Sequence, residues 1–334
     1  MKILFLTTTE ADYLQDSVLH GLRSLFGKDL VDYSKKNILY KNSKVNDIYG
    51  KGFTLYKILD ELEVDRENLE SKLKSGYFDL IIFGSIHRQE KLFNNYKKYL
   101  HKGNTILLDG EDTPGLFPNH RLCKKNPLIL FQRKHYNRFI YFKREITDET
   151  NYYRFMKFLP INISKKIPLP SLLQSISFSI PAEKILATLP EKKKIFPNHI
   201  VDEEISAKVE GSFTKYAFEN EKDYYEDLQA SKYGITTKRS GWDCMRHYEI
   251  AANGAVICFR DLDKKPETCA PNGLIPGVNC ISYQNYDALS DQISNINDEK
   301  YKTLQIETIN WIKSNTTINS AKKLIDNFNL FNKS

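Results

Sequence analysis

Two cations and one carboxylate, set around a short helix, are the residues of this sequence best suited to chemistry. They lie in the stretch from Ser231 to Leu262, which reads as strand, polar turn, helix, glycine turn, strand. Tyr233 to Thr236 is the first strand. Thr237 to Trp242 is the turn, carrying Lys238, Arg239 and Gly241. Asp243 is the expected N-cap, because its carboxylate can accept from the free amides of a first helical turn. Cys244 to Ala252 is the helix, and Asn253-Gly254 stops it. Ala255 to Phe259 is an apolar run of the length of a buried parallel strand. A helix N-terminus offers unpaired amides and partial positive charge. Lys238 and Arg239 beside it would make a site for a diphosphate. Glu249, inside the helix, could reach the hydroxyl pair of a ribose. A surface turn of an ordinary α/β domain would use the same residue types, so the turn by itself leaves both readings open.

The string Arg246-His-Tyr-Glu-Ile-Ala-Ala-Asn-Gly-Ala-Val-Ile resembles the nucleotide-binding segment of GT-B glycosyltransferases. In those enzymes a Glu, an Ala-rich half-turn, a Gly and a strand follow in this order. The resemblance implies that Glu249 holds the ribose of a sugar nucleotide, with Trp242 and His247 bordering the donor. The longer string Gly241 to Glu249 resembles a bacterial surface-polysaccharide subgroup, and spore-coat glycosyltransferase-like proteins share its general shape. One position departs. Family 4 transferases carry a first Glu eight residues before the ribose Glu, and that position here is Gly241. Either Asp243 or His247 replaces it, or donor recognition differs, so a retaining mechanism is not carried over. Asp12-Tyr-Leu-Gln-Asp, Gly21-Leu-Arg, Gly52-Phe-Thr-Leu-Tyr, Asp109-Gly-Glu-Asp and Tyr141-Phe-Lys-Arg-Glu resemble the same subgroup. The resemblance therefore covers most of the chain.

Bulk properties narrow the classes. Hydrophobic content of 41% and charged content of 27% are globular values, and 334 residues suffice for two domains with their own cores. Net charge is +7 with a pI near 8.9. That balance favours anionic partners: nucleotides, anionic glycans, an anionic membrane surface or nucleic acid. The cations are dispersed rather than gathered in one stripe, which sets nucleic acid aside. Five cysteines occur singly, with no Cys-x-x-Cys pair, which argues against a disulfide framework and for a reducing cytoplasm. The N-terminal apolar run is too short for a signal peptide, and no run is long enough for a spanning helix. Any membrane contact is expected to be peripheral, at the inner face of the cytoplasmic membrane.

The first half must position the second reactant. Ile3 to Leu6, the helix Tyr13 to Phe26 and Leu30 to Tyr33 form a β-α-β start, which predicts a parallel sheet. Ligands of such sheets sit at the carboxyl ends of strands. Thr8, Thr9 and Asp12 fall there, although threonines also serve as ordinary turn and capping residues. Tyr49 to Tyr56 is a glycine-containing loop, a plain turn or a gate to the cleft, without the spacing of a phosphate-binding Walker loop. Phe78 to Phe83 is a strand that delivers His87 and Arg88. Thr105 to Leu108 delivers Asp109, Glu111 and Asp112. A positioned carboxylate or imidazole is what a general base requires. Asp12, His87, Asp109 and Asp112 are accordingly the candidate bases, should the enzyme invert. Phe139 to Phe142 delivers Lys143 and Arg144, which would meet a phosphate or an acidic acceptor, or form a solvated salt-bridge cluster.

The expected organisation is an N-terminal Rossmann-like acceptor domain over 1–157 and a Pro-broken connector over 158–181. A nucleotide-sugar-binding domain follows over 182–318, with a last segment, 319–334, packing back on the first domain. The fold class is α/β: two Rossmann-like domains with parallel sheets facing a cleft. The expected activity is transfer of a sugar from a nucleotide-sugar donor to a glycan or lipid-linked acceptor. The alternative is a non-catalytic glycan- or nucleotide-binding module. No cofactor is expected, since the nucleotide-sugar is a substrate. No metal is expected either, since protein cations can stabilise the leaving diphosphate. Asp261-Leu-Asp263 has the Asp-x-Asp spacing of the metal site in the other large glycosyltransferase fold, but it follows a strand of the GT-B-like unit and reads as a loop.

Overall fold

The computed structural model describes residues 1–46, 48, 51, 53–117, 138–151, 160–216 and 218–333. Cys123, Gly52 and the 157/158 domain boundary fall outside these residues.

The first half begins β1 (Ile3–Leu6), α1 (Tyr13–Phe26), β2 (Leu30–Tyr33), α2 (Leu69–Lys74), β3 (Leu80–Phe83), α3 (Glu90–Tyr96), β4 (Thr105–Asp109) and β5 (Ile140–Lys143). Apolar residues dominate these strands without alternation, as parallel strands covered on both faces require. All pairings are parallel, and the sheet order is β2-β1-β3-β4-β5-β6. The sixth strand is a departure from expectation. After a short helix α4 (Ile161–Ser164), β6 (Leu173–Ser175) pairs with β5 from inside the Pro-rich connector. Pro160, Pro168 and Pro170 precede the strand and Pro181 follows it, so none interrupts its pairing.

The second half holds α5 (Glu203–Ser206), α6 (Glu221–Gln229), β7 (Tyr233–Thr236), α7 (Met245–Ala252), β8 (Val256–Arg260), β9 (Cys280–Tyr283), α8 (Tyr286–Ser294) and α9 (Asp298–Ser314). Its sheet is parallel in the order β7-β8-β9. Gly254 ends α7 with a φ of 70°, a conformation that glycine adopts without the Cβ penalty.

The two halves share one core. Ile3, Phe5, Leu80, Ile82, Ile106 and Leu108 belong to the same cluster as Met245, Tyr248 and Ile250 of α7. Ile180 donates its amide to the Asn315 carbonyl at 3.2 Å and accepts from Thr317 at 2.9 Å, so the chain crosses twice at one place. The final helix, α10 (Thr317–Lys333), then lies on α1, with Ala321, Leu324 and Phe328 buried in the shared core. No helix among the described residues is long and apolar enough to cross a membrane.

Candidate active site

The turn between β7 and α7 holds its cations outward. Arg239 closes it with an amide bond to the Gly241 carbonyl at 3.0 Å. Lys238 and Arg239 are exposed, and the Lys238 ammonium sits 5.0 Å from the Trp242 ring centroid. The residues after them turn inward. Asp243 is not the N-cap. That position belongs to Cys244, whose side chain makes no capping bond. Asp243 is buried, accepting from the Phe178 amide at 2.8 Å and the Tyr248 hydroxyl at 2.9 Å. A carboxylate drawn into that pair cannot fold back over its own helix.

His247 is fully buried and stacks on Phe259 at 4.5 Å. Its Nε2–H donates to the Trp242 carbonyl at 2.9 Å, and its Nδ1 accepts from the Thr236 hydroxyl at 3.0 Å. Burial pushes its pKa down to about 4. Trp242, Asp243 and His247 are thus the underside of the turn rather than a wall facing a donor.

Gly241 explains itself by what approaches it. A Cβ there would stand 2.5 Å from Glu145 Oε1 and 2.9 Å from Asp112 Oδ1, both from the first half. Glu145 Oε1 accepts from the Trp242 amide at 2.9 Å and the Asp243 amide at 3.3 Å, while its Oε2 accepts from the Cys269 thiol at 2.9 Å. Two amides leading into α7 are therefore satisfied by a carboxylate from the opposite half. Arg144 lies beside it, buried. Its guanidinium donates to the Asp243 carbonyl at 2.6 Å and the Gly110 carbonyl at 3.1 Å, pairs with Asp112, and lies 4.4 Å from the Phe178 ring centroid.

Glu249 faces the gap between the halves with both oxygens engaged. Oε1 accepts from the Thr54 hydroxyl at 2.6 Å, and Oε2 from the Tyr224 hydroxyl at 2.8 Å. Thr54 also meets the Tyr225 hydroxyl at 2.8 Å and donates its amide to Glu221 at 2.6 Å. Its φ of 69° is unusual for a β-branched residue. Sequence reading missed Thr54, Tyr224, Tyr225 and Glu221. The glycine-containing loop before Thr54 was the one available signal. It also missed Arg246, whose Nη1 donates to His199 Nδ1 at 3.1 Å.

The acceptor-side candidates separate by exposure. Asp109 is fully buried, and its Oδ2 takes His87 at 3.0 Å, Tyr141 at 2.6 Å and Lys143 at 3.1 Å. Burial alone would push this carboxyl up, but His87 and Lys143 beside it and the bonds from His87 and Tyr141 hold it well below the usual carboxylate range. Asp109 and Lys143 form a buried ion pair at the ends of β4 and β5, with His87, from the segment after β3, hydrogen-bonded to the same carboxylate. Lys143 and Arg144 therefore do not meet a phosphate, nor are they a solvated cluster. Asp12 caps α1 through the Gln15 amide at 3.1 Å and stands 3.6 Å from Arg88. Asp112, 48% exposed, is the most open of the four candidates and lies against Gly241. Thr8 and Thr9 line a cavity of about 790 Å³ with Arg88, Gln89, Lys91 and Asn95. The Gln89 side chain is buried there with its Nε2 unpartnered. Asp261 pairs with Lys264 at 2.8 Å, and Asp263 accepts from Ser282 at 3.0 Å.

No protein-family model matches the chain, and no curated protein matches it. Solved structures do. HepE of Anabaena, in complex with UDP-glucose, is similar over 99% of this chain and 100% of its own, with a TM-score of 0.53 at 10% identity. The same protein in complex with UDP gives 0.55. A glycosyltransferase from Rickettsia africae is similar over 100% of this chain and 99% of its own, with a TM-score of 0.55 at 9% identity. The likeness is one of fold. This chain has the two-sheet α/β architecture of these structures, the GT-B fold.

Two outcomes follow from the geometry. Gly241→Ala forces its new Cβ against Glu145 and should cost about 1–3 kcal/mol, read as a lower urea midpoint. The second concerns pH. The folded chain keeps His247 neutral down to about pH 4, whereas an unfolded chain protonates it near about 6.5. Stability is therefore full above about pH 6.5 and falls as pH drops toward 4, by at most about 1.4 kcal/mol per unit from this group. Urea titrations at descending pH should show that slope, and His247→Asn should remove this group's share of it, leaving the share of His199, which is also held near 4.

Proposed function

We propose that the chain is a glycosyltransferase, moving a sugar from a nucleotide-sugar donor to a glycan or lipid-linked acceptor in surface-polysaccharide synthesis. The observation that carries this reading is Glu249. It is a carboxylate on the first helix after β7, aimed into the gap between two parallel sheets and already gripping hydroxyl groups. A ribose diol would engage the same two oxygens. That the chain shares its fold end to end with a protein solved with UDP-glucose supports the reading.

In this scheme Lys238 and Arg239 face the diphosphate and stabilise the charge that grows as the sugar leaves. The acceptor enters from the first sheet, where the Thr8–Thr9 cavity opens. Its hydroxyl oxygen bonds to the anomeric carbon as the bond from that carbon to the diphosphate breaks. For an inverting reaction a carboxylate takes the hydroxyl proton, and Asp112 is the best placed because it is half-exposed beside the donor turn. Asp12 is the second candidate. The four described cysteines are free thiols, which supports a reducing cytoplasm. Any membrane contact would be peripheral.

A second reading, a non-catalytic binding module, is favoured by one observation: both Glu249 oxygens are satisfied within the chain. Calorimetry against UDP-, GDP-, dTDP- and CMP-sugars separates the two readings. Binding of one nucleotide-sugar, weakened roughly tenfold or more in Glu249→Ala, is the expected result. Because Ala also strands the Thr54 and Tyr224 hydroxyls and should lower the melting temperature, Glu249→Gln, which keeps an acceptor, should show the affinity loss in a better-folded chain. Glycan binding with no nucleotide binding would select the module. Activity should also survive EDTA, and a loss restored by manganese would overturn the cation-only scheme.

A further inference from the structure

Of the described arginines, five pair with carboxylates and three do not: Arg138 and Arg239 are exposed, and Arg246 alone of the three is half-buried. Arg23, Arg66, Arg88, Arg144 and Arg260 each stand within 4.0 Å of a carboxylate. Arg246, in the first turn of α7, is held by His199 instead, and no described carboxylate lies within that distance of it. A guanidinium only donates, so His199 Nδ1 must carry its lone pair. The ring's remaining hydrogen bond goes to the Thr214 backbone. His199 is therefore a neutral acceptor. It is buried, stacked on Phe213 at 5.7 Å and edged by Tyr216 at 5.2 Å. Burial first, then the nearby Arg246, pushes its pKa down to about 4, and Arg239 adds to the same field. The imidazole fixes the guanidinium in place and leaves its charge intact.

Two described arginines without a carboxylate partner thus lie in the neighbourhood of His199: Arg246, half-buried at the start of α7, and Arg239, exposed in the turn before it. Leaving a half-buried cation unpaired is costly, and an anionic ligand is the natural complement. We infer that Arg246 is a diphosphate-binding residue of the donor site and that His199 is its positioning residue, holding the guanidinium without neutralising it. This rests on the donor-site reading given above. The ligand class is a nucleoside diphosphate, with its phosphates on Arg246 and Arg239 and its ribose one helical turn along, on Glu249.

The test compares a nucleotide with its own nucleoside. Calorimetry with UDP and uridine, and with GDP and guanosine, isolates what the phosphates contribute. Arg246→Met should weaken the diphosphate by roughly ten- to hundredfold and leave the nucleoside within about twofold. His199→Gln keeps a neutral acceptor and should retain most of the affinity. His199→Glu would pair with Arg246 and cancel its charge, so diphosphate affinity should fall about tenfold with the arginine still present. Melting temperatures report folding, and if His199→Glu fails to fold, Arg246→Met decides alone. If the wild type binds a diphosphate and Arg246→Met binds it equally well, the inference fails while the donor site stands. If the wild type binds no diphosphate, the donor-site reading fails and this inference falls with it.

Discussion

The buried pair Arg144–Glu145 is the constraint on which the rest depends. It leaves the end of β5 in the first half and inserts beneath the turn that opens α7 in the second. The Arg144 guanidinium is matched by backbone carbonyls at Gly110 and Asp243, by Asp112 and Glu145, and by the face of Phe178. Glu145 is matched by two amides and a thiol. A buried ion pair adds stability only when its remaining donors and acceptors are filled, and here they are filled from both sheets. Such a pair specifies geometry more than it adds stability, because few alternative dockings would satisfy so many groups at once. Gly241 has no side chain because that space is taken. The cations before it point outward because the residues after it are anchored below.

This arrangement recasts the absence of a carboxylate at Gly241. A Glu there would collide with Glu145 and meet like charge from Asp112. The negative charge near that point comes instead from the other half of the molecule. Asp112 consequently belongs to both halves, following β4 in sequence and lying beside the turn before α7 in space.

How legible this was follows from the range of each interaction. α1, β7, the α7 stop at Gly254 and β8 were readable because apolar runs, helical spacing and a helix-stop pair are local signals. Lys143 and Arg144 were expected to meet a phosphate or an acidic acceptor, or to form a solvated salt-bridge cluster, and they do neither. Their partners, Asp109 and Asp243, stand far away in the chain, and no local pattern shows that a cation will be paired and buried. Asp243 failed as a cap for the same reason: local propensity offered it the helix, and the Phe178 amide and Tyr248 hydroxyl outbid that offer. The β6 strand hid among prolines that flank it without interrupting its pairing. The loop holding Thr54 was legible as a turn or a gate, but the contact of Thr54 with Glu249 was not, because that partner lies in the other half.

Thr54 links the two halves in a way that bears on turnover. Its hydroxyl and that of Tyr224 present to Glu249 what a ribose diol would present. On the donor-site reading, nucleotide and Thr54 compete for the same oxygen. A ligand shifts an equilibrium only by the difference in its affinity for the two states. The loop must therefore yield when the donor enters, and the left-handed φ at Thr54, disfavoured for a β-branched residue, lowers what is lost when it does. On the same reading, occupation of the donor site would alter the contacts of Thr54, a residue of the first half. Coupling of that kind would let the first half register whether a donor is bound.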